Sequence, residues 1–344
     1  MIDPGNRFQL SGVRLCTVAA MLAIASLANT GQASPVPTFL PTGLNITPTA
    51  APGSDYEPLN PKLSDFPHII ASGALSTVKS PDGKTLLVLV SGYNSLSDKS
   101  GKTIPADSNE YIFVFDITSG KPVEKQIIQI PNSFVGIVFD PSGQNFYVGG
   151  GVDDDIHQYS LTGGKWAENG KPISLNHNGI SNALFPKDIG ALTAGIDITQ
   201  DGSKLIVANL ENDSISIIDL ASRKVVKEFD LRPGKIDPAK SGVPGGEYPL
   251  WVTIKGNNTA YVSSSRDREI VVVDFTTVTA PKVLSRIEVA GNPSKTILDK
   301  AQQYLYVAED NSDLVDIIDT STQELFQSVL ASAPEKSEFE NPLS

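Results

Sequence analysis

Residues 200–219 carry Gln200-Asp201-Gly202-Ser203, then Leu205-Ile206-Val207-Ala208, then, past a polar stretch, Ile215-Ser216-Ile217-Ile218-Asp219. A Gly-bearing turn, an apolar run and a β-branched run ending in Asp read as two antiparallel strands. Ile196-Asp197-Ile198 precedes this pair and Val225-Val226-Lys227-Glu228-Phe229 follows it. The unit therefore holds four short strands.

The same order recurs along the chain. Ser80-Pro81-Asp82-Gly83-Lys84 precedes Leu86-Leu87-Val88-Leu89, and Asp140-Pro141-Ser142-Gly143-Gln144 precedes Phe146-Tyr147-Val148-Gly149. Gly256-Asn257-Asn258 precedes Ala260-Tyr261-Val262-Ser263, and Asp299-Lys300-Ala301-Gln302 precedes Leu305-Tyr306-Val307-Ala308. Val88, Val148, Val207, Val262 and Val307 are equivalent. The second strand repeats in step, as in Tyr111–Asp116, Ile156–Ser160, Ile270–Asp274 and Val315–Asp319. Four strands in a unit of about 45 residues is the pattern of a propeller blade. No run longer than about ten residues shows a helical stripe. The expected fold is all-β, a β-propeller of four-stranded antiparallel blades. Five units are counted, at 66–131, 132–176, 193–231, 247–290 and 292–330.

These runs resemble the YVTN-type β-propeller repeat, a relative of the WD40 and quinoprotein-like propellers. The nearest matches are Leu205-Ile206-Val207-Ala208-Asn209 and Leu305-Tyr306-Val307-Ala308-Glu309, each with its downstream Ile-Ile-Asp. Further stretches are similar to the propeller part of secreted bacterial proteins that continue into an alkaline-phosphatase-like phosphoesterase domain. They are Ser91-Gly92-Tyr93-Asn94, Pro105–Glu110, Leu231–Pro238 and Gly245-Gly246-Glu247-Tyr248-Pro249. That resemblance implies a bacterial source and a propeller of seven blades. Two readings follow: five blades that close a ring with help from residues 34–65, or a truncated seven-bladed propeller. This sequence stops at Ser344, where the family adds further blades and the phosphoesterase domain, so the hydrolase activity is not carried over.

The flanks read differently. Arg7 and Arg14 precede an apolar run from Leu15 to Ala28, and Gly31-Gln32-Ala33 offers small residues before Ser34. A run of about 14 residues is short for a bilayer span. Residues 1–33 read as a secretory signal peptide, so the chain is expected to be secreted or periplasmic, with no stable membrane span after cleavage. Cleavage removes Arg7, Arg14, Asp3 and the single Cys16, leaving a chain one unit more negative and free of cysteine. Residues 34–65, with seven prolines, read as an arm or linker. Residues 66–330 form the propeller and 331–344 a frayed tail.

Charge and composition narrow the function classes. With 39 acidic against 27 basic residues the net charge is −12, which argues against nucleic acid as a partner. One cysteine and three histidines leave little for a thiolate or multi-histidine metal centre. No cofactor is expected.

Strand order assigns the loops. In an up-and-down blade with strands a to d from the axis outward, the a–b and c–d turns share one face and the b–c and d–a loops the other. The long connections 92–110, 176–194 and 232–249 are all b–c or d–a loops, so the excess length gathers on one face. The candidate ligand-binding residues there are Asn209, Arg232, Lys235, Glu247, Tyr248, Arg266 and Arg268. Arginine forks suit a carboxylate or phosphate, and Tyr248 or Trp251 could stack on its carrier. The plain alternative is a solvated rim of local salt bridges. Asp153, Asp154 and Asp155 are weak candidates for a cation, because adjacent acids cannot all face one ion. His157 reads as a strand residue, His177 as a loop residue open to a binding role, and His68 as uninformative.

No nucleophile elbow, zinc-protease motif, phosphate loop or dinucleotide fingerprint is present. No catalytic residue is assigned. The first reading is a secreted module that binds a small anionic ligand or a protein partner through its loop-bearing face. The alternatives are a lactonase-like hydrolase at the channel mouth, or the propeller part of a bifunctional phosphoesterase protein.

Overall fold

The computed structural model describes residues 58–92, 95–177 and 191–331, together with two short strands nearer the N-terminus. Those strands, Thr38–Phe39 and Asn45–Ile46, pair antiparallel. The expected signal segment and most of the arm and tail lie outside the described residues.

Five antiparallel sheets form a ring, a five-blade β-propeller. Blade 1 runs through Ala74–Lys79, Thr85–Val90, Glu110–Asp116 and Val123–Ile130. Blade 3 runs through Thr193–Ile198, Lys204–Asn209, Ser214–Asp219 and Lys224–Asp230. Blade 4 covers Pro249–Lys255, Thr259–Ser264, Glu269–Asp274 and Lys282–Glu288. Blade 5 covers Asn292–Leu298, Tyr304–Asp310, Leu314–Asp319 and Glu324–Leu330. Blade 2 departs from the pattern. After Ile137–Phe139, Asn145–Gly149 and Asp155–Thr162, its outer strand breaks into Lys165–Glu168 and Ile173–Ser174, both paired with Asp155–Thr162.

The repeated Asp at the end of the third strand has a local cause. Asp116 Oδ1 accepts the Thr118 amide at 2.9 Å and its hydroxyl at 2.6 Å. Asp219 does the same with Ser222, Asp274 with Thr276 and Asp319 with Ser321. Each carboxylate ties off the c–d turn, an Asx turn that replaces a backbone turn bond. The hydroxyl bond, before the amide bond, holds all four below the usual carboxylate range.

Four of the blade seams are filled alike. Leu87, Ile112 and Val114 of blade 1 meet Phe139, Phe146 and Val148 of blade 2. Tyr147 and Ile156 meet Ile196, Leu205 and Val207 of blade 3. Ile206, Ile215 and Ile217 meet Val252, Ala260 and Val262 of blade 4. Tyr261, Ile270 and Val272 meet Leu305, Val307 and Ile318 of blade 5. Near the axis the first strands come closer than a side chain allows. A Cβ on Gly195 would lie 2.6 Å from Trp251 Cα. Hydroxyls bridge neighbouring first strands, as where Thr253 Oγ1 donates to the Thr296 carbonyl at 3.0 Å.

The seam between blades 5 and 1 differs. Lys295 Nζ donates to the Thr77 carbonyl at 3.2 Å there. Tyr306 occupies the position of Tyr147 and Tyr261, yet it is 36% exposed, and its cross-strand partner Ile297 is 63% exposed. The outward face of blade 5 is therefore apolar and wet. The opposing side of blade 1 is partly covered by Leu59 and Ala71, which pack with Val90, Tyr111, Phe113 and Phe115. Among the described residues no helix is long and apolar enough to cross a membrane.

Candidate functional site on the loop-bearing face

The strand order puts the b–c and d–a loops at one end of the ring, as the repeat requires. Loop 231–248 is the most built of those described. It opens with Leu231, fully buried, and passes through a short helix at Pro233–Ile236. Its end is fixed by an ion pair that sequence reading missed. Arg286 NH1 donates to Glu269 Oε1 at 2.6 Å, and the same oxygen accepts the Gly246 amide at 2.7 Å. A second Arg286 nitrogen donates to the Leu231 carbonyl. Gly246 sits at φ 76°, and a Cβ there would lie 2.3 Å from that carbonyl oxygen. Only glycine fits this turn, the second of the pair Gly245-Gly246.

Beyond the turn the candidate residues part into two groups. Arg232 Nε donates to Asp230 Oδ1 at 3.0 Å, and its NH2 to Oδ2 at 2.5 Å. Its NH1 lies 3.3 Å from Asp213 Oδ2. The Asp230 hydrogen bond raises the Arg232 pKa further, with Asp230, Asp213 and Glu247 adding charge. Asp213 Oδ1 accepts the Tyr248 amide at 3.0 Å, which pins Tyr248 at φ 55°. Glu247 donates its amide to Asp267 Oδ2 at 2.8 Å and places Oε2 3.1 Å from Arg266 NH1. The Arg266 guanidinium lies 5.8 Å from the centre of the Tyr248 ring. Asp213 thus links Arg232 to Tyr248, and Arg266 links Tyr248 to Glu247.

The other candidates stand apart. Asn209 is fully buried, and its amide donates to Ser214 Oγ and Ser216 Oγ, both at 2.9 Å. It works inside blade 3 rather than at the surface. Lys235 on the short helix and Arg268 are exposed. Trp251 is a packing residue in the first strand of blade 4, 8% exposed, with Lys295 Nζ 4.8 Å from its ring centre.

The three adjacent acids diverge, as adjacency dictates. Asp153 Oδ2 accepts Asn132 Nδ2 at 2.9 Å. Asp154 clasps His177, and Asp155 Oδ1 lies 3.4 Å from His157 Nε2. Among the described residues no group of three His, Cys, Asp or Glu is placed to hold a metal ion. His177 is instead a clamp. Its Nδ1 is 2.6 Å from Asp154 Oδ1 in blade 2, and its Nε2 is 3.3 Å from Glu228 Oε1 in blade 3. Burial opposes its charge, but hydrogen bonds to the two carboxylates outweigh burial and lift its pKa to about 9. His157 holds Glu168 Oε1 at 2.7 Å, and it too is raised against burial by Asp155 and Glu168. In blade 5, burial and then Asp316 raise the carboxyl of Glu309.

No protein-family model matches the chain, and no curated protein matches it. Solved structures do match. A streptogramin B lyase superposes with a TM-score of 0.54 at 16% identity, covering 82% of this chain and 74% of its own. A putative 6-phosphogluconolactonase from Bacteroides fragilis gives 0.53 at 13%, covering 76% and 72%. The Myceliophteria thermophila Cps50 (Swd1) β-propeller domain gives 0.52 at 13%, covering 76% and 74%. At such identities the likeness is one of fold. A lyase, a lactonase-like protein and a WD40-type propeller domain share it, so function has to be argued from the site.

Proposed function

We propose that the chain is an exported binding module that recognises a protein partner with its loop-bearing face, centred on Tyr248, Arg266 and Arg268. The observation that carries this is the Tyr248–Arg266 pair. Tyr248 is 40% exposed and the Arg266 side chain 63% exposed, while Asp213 and Asp267 fix the backbone beneath them. Tyrosine and arginine on a preorganised base are the residue types that dominate protein interfaces. A small anion is the weaker reading, because Arg232 already forks onto Asp230 and touches Asp213, and Arg266 is shared with Glu247. An anion would have to displace a covalently tethered carboxylate from each.

Export rests on residues 1–33, and membership of the YVTN-type repeat on the Leu-x-Val-Ala runs; both belong to this reading. A phosphoesterase partner is one occupant of the proposed surface.

The test is site-specific photocrosslinking in the exporting cell. A benzophenone side chain at position 248 or 266 should give one discrete adduct, and Arg268→Ala should weaken it. The same group at 82 or 142, on the opposite turns, should give none. Equal labelling of both faces, or no adduct at 248 and 266, would overturn the reading.

A further inference from the structure

Between blades 1 and 2, away from the Tyr248–Arg266 patch, the loop-bearing face holds an open pocket of about 230 Å³. Its wall includes Ser95, Thr103, Ser108, Asn109, Glu110 and Asn132, with no lysine or arginine among the described residues. Glu110 opens the third strand of blade 1, where the chain returns from the long b–c loop.

Burial sets the protonation of Glu110. Ser133 Oγ donates to Glu110 Oε2 at 2.5 Å and lies 3.1 Å from Ser91 Oγ, and Ser91 donates to the Phe134 carbonyl. The Ser133 hydroxyl and amide favour the ionised carboxyl, but burial outweighs both, nearby Asp153 adds repulsion, and the carboxyl is pushed up to about 7.

The rest of the wall suits a neutral ligand. Asn109 and Asn132 spend their amide nitrogens on the Ala106 carbonyl and on Asp153, leaving carbonyl oxygens to accept. Ser95 and Thr103 add hydroxyls. The Asp153 carboxylate behind Asn132 disfavours an anion. The volume lies below the roughly 300–1,000 Å³ of sites for drug-sized molecules, which limits the ligand to about one ring.

We propose that this pocket is a binding site for a small neutral polyol of monosaccharide size, and that Glu110 meets it as an uncharged carboxyl. Ligand entry strips water from Glu110. A protonated acid tolerates that, and a carboxylate resists it. Binding therefore weakens as pH rises through about 7.

The site does not depend on the protein-binding patch, so either can fail alone. The test uses the whole chain with D-glucose, D-galactose and myo-inositol as probes, read by ligand-observed NMR and calorimetry at pH 6 and pH 8.5. At least one probe should bind saturably at pH 6 and about tenfold more weakly at pH 8.5. Glu110→Gln, a permanently neutral isostere, should bind equally at both pH values. Glu110→Ala should lose binding about tenfold or more. A carboxyl 13C titration of wild-type Glu110 checks the premise without ligand or variant, and its midpoint should lie near 7. No saturable binding at pH 6, pH-independent binding in wild type, loss of binding in Glu110→Gln, or a midpoint near the ordinary 4.5 would each overturn the proposal.

Discussion

Asp154 closes two hydrogen bonds on His177: Oδ1 lies 2.6 Å from its Nδ1, and Oδ2 accepts its backbone amide at 2.8 Å. With Glu228 on the far ring nitrogen, this imidazolium is bound by a carboxylate from each of two blades. The folded pKa of about 9 lies above the ordinary 6.5. The resulting stabilisation is complete below 6.5 and is lost as pH rises through 9. Melting temperature should fall between pH 6.5 and 9.5, and His177→Gln should flatten that slope while lowering stability at pH 6 by about 2 kcal/mol. Differential scanning calorimetry across the range decides it; an unchanged slope in the variant would refute the clamp.

At the acid end the sign reverses. Asp116, Asp219, Asp274 and Asp319 are held below their ordinary range by their turn hydroxyls. Their contribution is present above the unfolded value and is lost as pH falls through the folded ones. Stability should decline below about pH 4, and Thr118→Val or Thr276→Val should flatten that decline while lowering stability near neutral pH in urea titrations.

Equivalent tyrosines should respond unequally. Tyr261→Ala empties a filled seam and should cost about 3–5 kcal/mol. Tyr306→Ala removes a side chain from a wet face and should cost less than about 1 kcal/mol. Chemical denaturation of the two variants gives the comparison, and equal losses would show that the blade 5 face is covered.

The loop turn offers a paired test. Gly246→Ala drives a Cβ into the Leu231 carbonyl, 2.3 Å away, whereas Gly242, at φ 82°, has no atom within 4 Å of its Cβ position. Gly242→Ala should cost only the left-handed backbone penalty, about 1–2 kcal/mol. Gly246→Ala should cost clearly more and open 236–243 to limited proteolysis.

Arg286→Met should act at the same point. It leaves Glu269, 6% exposed, with the Gly246 amide as its hydrogen-bond donor. A buried charge stripped of its ion partner costs about 3–5 kcal/mol. Arg286→Met/Glu269→Leu should recover most of that in thermal melts, because the uncompensated charge is gone.

Sequence and tertiary structure divided the molecule between them. Strand content, blade count, the four strands per unit and the face that bears the long loops were legible from local chemistry. Alternating β-branched runs, Gly turns and the terminal Asp each act within a few residues, so a repeat displays them directly. The grouping of Arg232, Glu247, Tyr248 and Arg266 was legible only as a set of loop residues. Asp213 links Arg232 to Tyr248 through a hydrogen bond across 35 positions, and Arg266 completes the group. Asn209 looked like a surface ligand and lies inside its blade, because its amide completes a buried hydroxyl pair. Glu110, Ser133 and Ser91 carried no signal in order along the chain. Whether a carboxyl keeps its proton depends on burial and on which hydroxyls face it, and those are decided when one blade closes on the next.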